Sequence, residues 1–424
     1  MLPMATVAEG NETKDLPIVK IGFLNPITGP VDVYAPGWTA AMEIAEDHIN
    51  SMQSQYNFEI VEEDSGCDGS VAQTAAYDLV YAGVVAVAGA ACSGASIGAN
   101  SILSSYGIPQ VSYASSYPGL SDDSSYPGFM RVVPSDAMQG HAISYAMTET
   151  GDTNPALLHM TNDYGSGLAD SFDAAWTDAG NTLCTKIGYA DTDTDFSDEV
   201  YSLMYDGCDS VVMVSYSLDG AALVEELRDW GFTGSIVTGG EDITSGGWPD
   251  YFDYPSEANG VHAVRPVAGP QTNLQTAFDY ECNQDSDCSS GIYTREAYDA
   301  IRLIADAYIN SSSYSSLEQA ILGTGTNWEG ASGYVTFLPN GDAVGNGYDI
   351  CEFVSENLVC NEVWTLGSSD YDEDGWTDAD ELDCSTDPYD PNSVPNDWDS
   401  DGLCDQVDTD DDNDGFSDLD ETTN

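Results

Sequence analysis

The sequence predicts an α/β protein with two lobes followed by a separate irregular tail. Three observations predict it: short β-branched runs alternate with helical stretches from Ile18 onward, several runs are continuously apolar, and the composition changes abruptly after Trp364. Residues 84–87 and 211–214 are continuously apolar, which favours strands that are covered on both faces. We therefore expect two doubly wound lobes, each a parallel sheet enclosed by helices.

The predicted elements alternate along the chain in two series. In the first series, strands are expected at 18–24, 58–62, 84–88 and 109–113, and helices at 38–52, 71–81 and 93–106. In the second series, strands are expected at 129–133, 156–160, 182–189, 210–215 and 235–238, and helices near 137–147, 165–179, 196–205 and 218–230. The last helices, near 274–280 and 293–309, and the last strands, near 334–338 and 348–353, are too few for a third α/β domain. We expect them to complete the two lobes.

The composition restricts the partners of the protein. The 424 residues include 74 Asp and Glu against 8 Lys and Arg, which gives a formal charge of -66. Such a chain is repelled by phosphate backbones and by anionic lipid surfaces, so nucleic acid is excluded as a partner. Because 42% of the residues are apolar, the chain can nevertheless form hydrophobic cores. High salt screens the repulsion between acidic groups, so we expect a halophilic protein from a saline source.

The cysteine pattern predicts disulfides and an exported protein. The ten cysteines fall into five neighbouring pairs, and the sequence contains no CxxC motif typical of zinc sites. The cysteines are Cys67, Cys92, Cys184, Cys208, Cys282, Cys288, Cys351, Cys360, Cys384 and Cys404. No signal segment is seen in this sequence, and no apolar run is long enough to cross a bilayer. We expect an extracellular, cell-surface or periplasmic location, with any anchor lying outside this sequence.

Three loops in the tail follow the spacing of calcium-binding loops. Carboxylates at positions 1, 3, 5, 9 and 12 with glycine at position 6 supply hard oxygen ligands and a sharp turn. The predicted ligands are Asp370, Asp372, Asp374, Asp378, Glu381, Asp397, Asp399, Asp401, Asp405, Asp408, Asp410, Asp412, Asp414, Asp418 and Glu421. Because the flanking helices of EF-hands are missing and Cys384 and Cys404 interleave with the loops, the tail resembles thrombospondin type 3 repeats. The resemblance implies structural Ca²⁺ in a spacer with little core; the alternative is a solvated acidic linker.

Motifs in the body carry a second resemblance. The segments IVKIGFLNPITGP (18–30), AGAACSGAS (88–96), GIPQVS (107–112), FMRVVPSDAMQG (129–140) and DYGSGLAD (163–170) occur in this order. Over residues 18–355 the chain resembles type I periplasmic binding proteins, in particular the branched-chain amino-acid receptors of ABC transporters. The resemblance implies two lobes joined by a three-strand hinge, with crossovers near Val133, near Val264 and at 325–335. It also implies that Cys67 and Cys92 form a disulfide in the first lobe.

The resemblance and the composition together divide the chain into domains. Residues 1–17 are an N-terminal extension, residues 18–133 and 265–330 form lobe 1, residues 134–264 and 331–366 form lobe 2, and residues 367–424 form the calcium-binding tail. The tail is expected to be a distinct unit because its apolar content is low.

The candidate ligand residues come partly from predicted strand ends and partly from the resemblance. Ser93 starts a helix, where free N–H groups and the helix dipole favour a carboxylate, although an ordinary serine cap has the same pattern. The resemblance adds Ala114, Ser115 and Ser116 as a second ligand loop, Tyr34, Tyr164 and Tyr216 as cleft tyrosines, and Glu241 as the partner of a ligand ammonium. Arg295 departs from the apolar or aromatic residue typical of the family, so it is expected either to pair with a second ligand carboxylate or to lie on a surface helix.

These observations favour a non-enzymatic solute receptor that captures an amino acid or related small zwitterion. An ABC permease is the expected partner, and the receptor is expected to be monomeric. One alternative is a sensory or adhesive ectodomain with the same cleft. A second alternative is a serine esterase, because residues 94–98 satisfy the GxSxG pattern around Ser96 and three histidines, at 141, 159 and 262, are candidate bases.

Overall fold

The computed structural model describes residues 16–240, 243–244 and 247–365, and in the tail residues 374–377, 380–381, 384, 386, 393–398, 403–408 and 411. The strands are β1 (Ile18–Asn25), β2 (Asn57–Asp64), β3 (Ala86–Ala88), β4 (Gln110–Ser112), β5 (Phe129–Arg131), β6 (Pro155–Met160), β7 (Thr185–Tyr189), β8 (Ser210–Val214), β9 (Ile236–Thr238), β10 (Val261–Pro266), β11 (Trp328–Glu329), β12 (Tyr334–Val335), β13 (Tyr348–Val354) and β14 (Asn357–Trp364). The α-helices are α1 (Ala35–Met52), α2 (Gly69–Ala82), α3 (Ser93–Leu103), α4 (Asp136–Thr150), α5 (Asp163–Asp178), α6 (Ser197–Asp206), α7 (Ser217–Asp229), α8 (Asn273–Cys282), α9 (Ser286–Ser290), α10 (Thr294–Asn310) and α11 (Leu317–Thr324).

The first lobe is built on a five-stranded parallel sheet in the order β2-β1-β3-β4-β5. All three residues of β3 are buried, as expected for a strand whose faces are both covered by helices. The core of this lobe contains Phe23, Trp38 and Tyr113. The ring centroid of Tyr113 lies 5.4 Å from that of Phe23 and 5.4 Å from that of Trp38. The parallel arrangement sends the carboxyl ends of β1, β3 and β4 to one edge of the sheet.

The second lobe is built on a seven-stranded mixed sheet in the order β14-β13-β10-β9-β8-β6-β7. Strands β6 to β10 are parallel, and β8 is buried along its whole length. Strands β13 and β14 add an antiparallel hairpin at one edge. The two predicted α/β lobes are therefore confirmed, but the second sheet is mixed rather than purely parallel, because the β13–β14 hairpin pairs antiparallel at its edge.

The chain passes between the lobes three times. The first connection (132–135) joins β5 to α4, and the second connection (267–272) leads from β10 to α8, close to the crossovers expected near Val133 and Val264. The third connection (338–347) lies later than the expected 325–335, because Val335 and Phe337 still pack in the first core. The short β11–β12 hairpin is held there by Asp299, which accepts hydrogen bonds from the N–H groups of residues 331 and 332 at 2.6 and 2.8 Å. Lobe 2 was expected to resume at residue 331, whereas the chain enters the second core at Tyr348.

The helices after the second connection complete the first lobe. Helix α10 packs against α1, and its buried face includes Ala297, Ile301 and Ile304. Helix α11 and strand β14 were not predicted. Strand β14 contains only half-buried and exposed residues, so its sequence carries little apolar signal. None of the described helices combines the length and the apolarity needed to cross a bilayer.

All five neighbouring cysteine pairs are bonded, which confirms the predicted pairing. The disulfides are Cys67–Cys92, Cys184–Cys208, Cys282–Cys288, Cys351–Cys360 and Cys384–Cys404. The first of them joins the end of β2 to the residue that precedes α3, so it fixes the start of that helix.

Candidate ligand cleft between the two lobes

A cavity lies between the lobes at the carboxyl ends of the parallel strands. It offers about 60 Å³ to water-sized molecules. Its lining residues are Val31, Tyr34, Trp38, Ala91, Cys92, Ser93, Ala114, Tyr164, Tyr216, Ile292 and Tyr293. Five of the predicted ligand residues meet here: Tyr34, Ser93, Ala114, Tyr164 and Tyr216. Ligands of open α/β sheets bind at this kind of strand edge, so the position fits a ligand cleft.

Ser93 is the first residue of α3 and is only 2% exposed. Its Oγ accepts a hydrogen bond from the N–H of Tyr117 at 3.3 Å. A Cβ atom added at Gly94 would lie 2.8 Å from the Asp163 carboxylate of the second lobe. The second lobe therefore approaches the start of α3 closely at this point. The N-terminus of α3 favours an anion at the cavity edge.

Aromatic rings form most of the cavity wall. The rings of Tyr164 and Tyr216, both from the second lobe, are nearly parallel: the angle between their planes is 9°, and their centroids are 5.9 Å apart. In the first lobe, the Nε1–H of Trp38 donates to the carbonyl oxygen of Ile292 at 2.6 Å. The hydroxyl oxygen of Tyr34 lies 3.1 Å from the Oγ of Ser217 in the second lobe. This contact joins the lobes across the cleft, so the structure shows them closed.

The hydroxyls of Ser115 and Ser116 point away from the cavity, contrary to expectation. The Oγ of Ser115 donates to the carbonyls of Ala90 and Ala91, each at 3.1 Å. The Oγ of Ser116 donates to the Asp136 carboxylate at 2.9 Å. Both side chains are buried and hold the loop in place, while only Ala114 of the predicted ligand loop lines the cavity.

Arg295 lies outside the cavity. Its Nε and Nη2 donate to the two carboxylate oxygens of Asp279, both at 2.9 Å. The chain places Ile292 and Tyr293 into the cavity immediately before α10 begins, and Arg295 in the first turn faces α8 instead. The expectation that it meets a ligand carboxylate in the cleft is therefore not met. The other predicted residue, Glu241, lies outside the described residues.

Sequence reasoning missed several cavity residues. Trp38 follows Tyr34 by four residues, and such spacing brings side chains to the same face of a helix, so this signal was available. Tyr293 adopts a left-handed conformation with φ of 52° just before α10. No sequence pattern signals that conformation for a tyrosine, since it is uncommon outside glycine, asparagine and aspartate.

The esterase alternative lacks the required geometry. Ser96 is fully buried inside α3, and its Oγ bonds to the backbone of Ala90 and to the Oγ of Ser115 at 2.8 Å. A nucleophile elbow would instead expose its serine on a tight turn. His159, one of the candidate bases, lies in β6 of the second lobe and donates to the Met160 carbonyl, and burial lowers its pKa.

Five of the fifteen predicted calcium ligands are described: Asp374, Glu381, Asp397, Asp405 and Asp408. Glu381 is fully buried, and the carboxylate of Asp405 accepts the N–H of Trp398 at 2.8 Å. Asp370, Asp372, Asp378, Asp399, Asp401, Asp410, Asp412, Asp414, Asp418 and Glu421 lie outside the described residues.

Comparison with known proteins assigns the body to a family. A family model described as the receptor family ligand binding region matches residues 37–356. The Leu/Ile/Val-binding protein homolog 3 of Brucella melitensis is 25% identical over an alignment of 347 positions that covers 80% of this chain and 93% of that protein. The metabotropic glutamate receptor-like protein E of Dictyostelium discoideum is 28% identical over an alignment of 227 positions that covers 50% of this chain and 27% of that protein.

A solved structure agrees with this assignment. The leucine binding protein of Thermotoga maritima superimposes with a TM-score of 0.73 at 21% identity, over 81% of this chain and 98% of that one. The body therefore has the fold of the type I periplasmic binding proteins. The family match spans both lobes and all three connections. This chain therefore belongs to the family of receptor ligand-binding regions.

Proposed function

We propose that this chain is an extracytoplasmic solute receptor that captures an amino acid or a related small zwitterion for uptake by an ABC transporter. The observation that carries this proposal is a cavity whose walls come from both lobes. A ligand that contacts both lobes binds the closed form better than the open form, and it therefore shifts the population toward closure.

The cavity offers groups suited to both charges of a zwitterion. The start of α3 at Ser93 favours a carboxylate because its N–H groups and the helix dipole are positive there. The parallel rings of Tyr164 and Tyr216 suit an ammonium group near their faces. The predicted acidic partner of that ammonium, Glu241, would add a charge-assisted contact. The remaining aromatic wall suits a small apolar side chain.

The relatives and the disulfides support the location and the partner. The relative from Brucella and the structural neighbour from Thermotoga are named for binding branched-chain amino acids. Five disulfides suit an oxidising compartment outside the cytoplasm. A receptor of this kind delivers its ligand to a membrane permease.

Thermal unfolding with a ligand panel tests the proposal. The protein is heated in high salt and calcium with single amino acids, short peptides, aromatic carboxylates and polyols. We expect at least one amino acid to raise the melting temperature, since a ligand at 100 times its dissociation constant adds about 2.7 kcal/mol to the stability. The Ser93→Ala variant should lose at least about half of this added stability, as a tenfold weaker affinity implies. Stabilisation by polyols or aromatic carboxylates alone would contradict an amino-acid receptor, and no stabilisation by any compound would contradict the proposed cleft.

A sensory receptor is the second candidate function. The specific observation that favours it is the similarity to a relative named as a metabotropic glutamate receptor-like protein. Uptake of the radiolabelled ligand by cells with and without the gene separates the two functions. Loss of uptake without the gene supports transport, whereas normal uptake with a lost cellular response to the ligand supports sensing.

We also propose that Ca²⁺ organises the acidic tail. Gly375, at position 6 of the first predicted loop, has φ of +104°, which side-chain-bearing residues rarely adopt. Glu381, at position 12, is fully buried, as a bidentate calcium ligand would be. Carboxylate oxygens are the hard ligands that Ca²⁺ prefers, so the donor set fits this ion. The disulfide Cys384–Cys404 closes the same segment covalently.

A further inference from the structure

Arg131 holds an unusual position in this chain. The sequence has only 8 Lys and Arg in 424 residues, yet Arg131 is completely buried at the end of β5. A buried guanidinium is costly unless it is paired and its donors are used. An acidic protein would gain more from a cation at its surface, so the buried position requires a local reason.

Three side chains, those of Arg131, Asp342 and Ser121, are hydrogen-bonded to one another, and we call them the Arg131 network. The Nε of Arg131 donates to Oδ1 of Asp342 at 2.6 Å, and its Nη2 donates to the Oγ of Ser121 at 2.7 Å. The Ser121 hydroxyl in turn donates to Oδ2 of Asp342 at 2.6 Å. Both oxygens of the carboxylate are therefore engaged by this network.

The remaining donor of the guanidinium holds the ligand loop. Nη1 donates to the carbonyl of Tyr117 at 2.9 Å and to that of Ser115 at 3.3 Å. These two carbonyls belong to a loop that contacts the cleft at both of its ends. Ala114, just before it, lines the cavity, and the N–H of Tyr117 donates to the Oγ of the cavity residue Ser93. Arg131 thus does not line the described cleft cavity, but it holds the backbone of a loop that does.

The same network ties the loop to the hinge. Arg131 directly precedes the first connection (132–135), and Asp342 belongs to the third connection (338–347). The N–H of Arg131 donates to the carbonyl of Gly341 at 3.0 Å. A Cβ atom at Gly341 would lie 2.6 Å from the carbonyl oxygen of Phe129 in β5, so glycine lets the third connection approach the end of this strand closely.

We propose that Arg131 is a positioning residue that locks the ligand loop to the first and third connections, so that lobe closure and loop geometry change together. The proposal rests on the proposed function, because it assigns a role in capturing the ligand of that same cleft. It predicts that the network matters for ligand affinity beyond its contribution to stability.

The test replaces both buried charges together. A single neutral substitution would leave an unpaired buried charge, whereas an apolar pair of similar volume is often tolerated. We therefore combine Arg131→Met with Asp342→Leu. The matched control combines Arg302→Met with Asp306→Leu, which removes another arginine–aspartate pair, at 3.1 Å within α10 and outside the cavity lining.

Two readouts are measured on the full chain. Native-state hydrogen exchange follows the amides of Ser115 and Tyr117, which donate to Ser112 Oγ and Ser93 Oγ. We expect them to exchange at least about tenfold faster in the Arg131 pair variant, with the amides of β1 and β8 unchanged. Calorimetric titration with the amino acid that most stabilises the wild type should show an affinity lowered at least about tenfold. The control pair should change neither readout.

The outcomes separate the two claims. Unchanged exchange of the loop amides in a folded Arg131 pair variant would overturn the proposal, as would unchanged affinity. If the wild type binds no amino acid, the proposed function fails and the exchange result alone decides the inference. If the pair variant does not fold, Arg131→Lys decides, since lysine keeps the charge opposite Asp342 but lacks the planar fork that reaches the loop carbonyls. It should loosen the loop in the same way.

Discussion

The two lobes contribute unequally to the cleft. Among the described residues, nine of the lining side chains belong to the first lobe, whereas the second lobe supplies the ring pair of Tyr164 and Tyr216. The first lobe also presents the helix start at Ser93, which is buried and tied to its own ligand loop. From this difference we expect an order of events in which the ligand docks on the first lobe and the second lobe closes over it. First-lobe substitutions should therefore alter docking, and second-lobe substitutions should alter release.

The largest expected effect is on the first-lobe side. Ser93→Ala removes the hydroxyl at the anion site, and we expect affinity to fall by more than about tenfold, as for loss of a hydrogen bond to a charged group. Ser101→Ala is the matched control, because Ser101 lies on the same helix with its side chain exposed. Calorimetric titration measures both variants. Equal affinities for wild type and Ser93→Ala would place the ligand elsewhere, and Glu241→Ala should show a loss comparable to that of Ser93→Ala.

A smaller effect is expected from the second-lobe ring pair. Tyr164→Ala removes one of the two rings proposed to face the ligand ammonium, and a cation–π contact contributes about 0.5–2 kcal/mol. We expect the dissociation rate measured by stopped flow to rise about three- to tenfold, while the association rate changes little. Tyr201→Ala is the control, since Tyr201 stacks on Tyr205 at the exposed surface of the same lobe. A fall in association rate alone would contradict the proposed order of events.

Trp38 sharpens the comparison within the first lobe. It is almost fully buried and is fixed by its bond to the Ile292 carbonyl, so it limits the space left for a ligand side chain. Trp38→Leu should raise the affinity for leucine relative to alanine several-fold, since a methylene in an apolar pocket is worth about 1–3 kcal/mol. Competition binding measures the ratio, with Trp230→Leu, which changes an exposed tryptophan, as the control. An unchanged ratio would show that Trp38 does not set ligand size.

The contact between the ligand loop and α4 should respond to pH. Burial raises the pKa of Asp136 to about 7, although the Ser116 hydroxyl and the nearby Arg131 favour its charged form. Because the folded protein then binds the proton more tightly than the unfolded chain, the stability contribution of this group is largest at low pH. It falls as the pH rises from about 4 to 7. In Asp136→Asn, urea unfolding between these pH values should show a shallower fall in the free energy of unfolding. An identical slope in both proteins would exclude Asp136 as its source.

The smallest effect on ligand binding is expected from the tail. Chelating Ca²⁺ should increase protease cleavage after residue 366, because the tail has little apolar core and would lose its bound ions. Ligand affinity should stay unchanged, since the described cavity residues all lie before residue 300. Equal cleavage with and without Ca²⁺ would contradict the calcium proposal. A large change in affinity would contradict the separation of tail and cleft.

The two sheets could be predicted from the sequence because their strands carry strong local signals. The continuously apolar residues of β3 and β8 indicate burial on both faces, and both strands are buried. Strand β14 has no such signal, because it lies at the sheet edge with mostly exposed side chains. The third connection was misplaced for a different reason: the β11–β12 hairpin stays with the first lobe through hydrogen bonds to Asp299, which is distant in sequence.

The candidate site was predicted in position but not in side-chain detail. Strand ends locate Ser93 and the loop around Ala114, because the carboxyl ends of parallel strands meet at one edge. The family resemblance, not the strand pattern, supplied Tyr164 and Tyr216. The directions of Ser115 and Ser116 depend on buried partners, the Ala90 carbonyl and Asp136, and residue spacing does not reveal these. The direction of Arg295 likewise could not be predicted. A shift of one or two residues in the start of α10 decides whether a side chain there faces the cleft, as Tyr293 does, or α8, as Arg295 does.

The most direct test of the central claim is calorimetric titration of the protein with the amino acid that stabilises it most. We predict saturable binding of one ligand per chain, with a negative heat-capacity change that reflects burial of apolar surface in the closed cleft. Absence of binding heat across the amino acids, or one-to-one binding that is unaffected in both Ser93→Ala and Tyr164→Ala, would contradict capture between the two lobes.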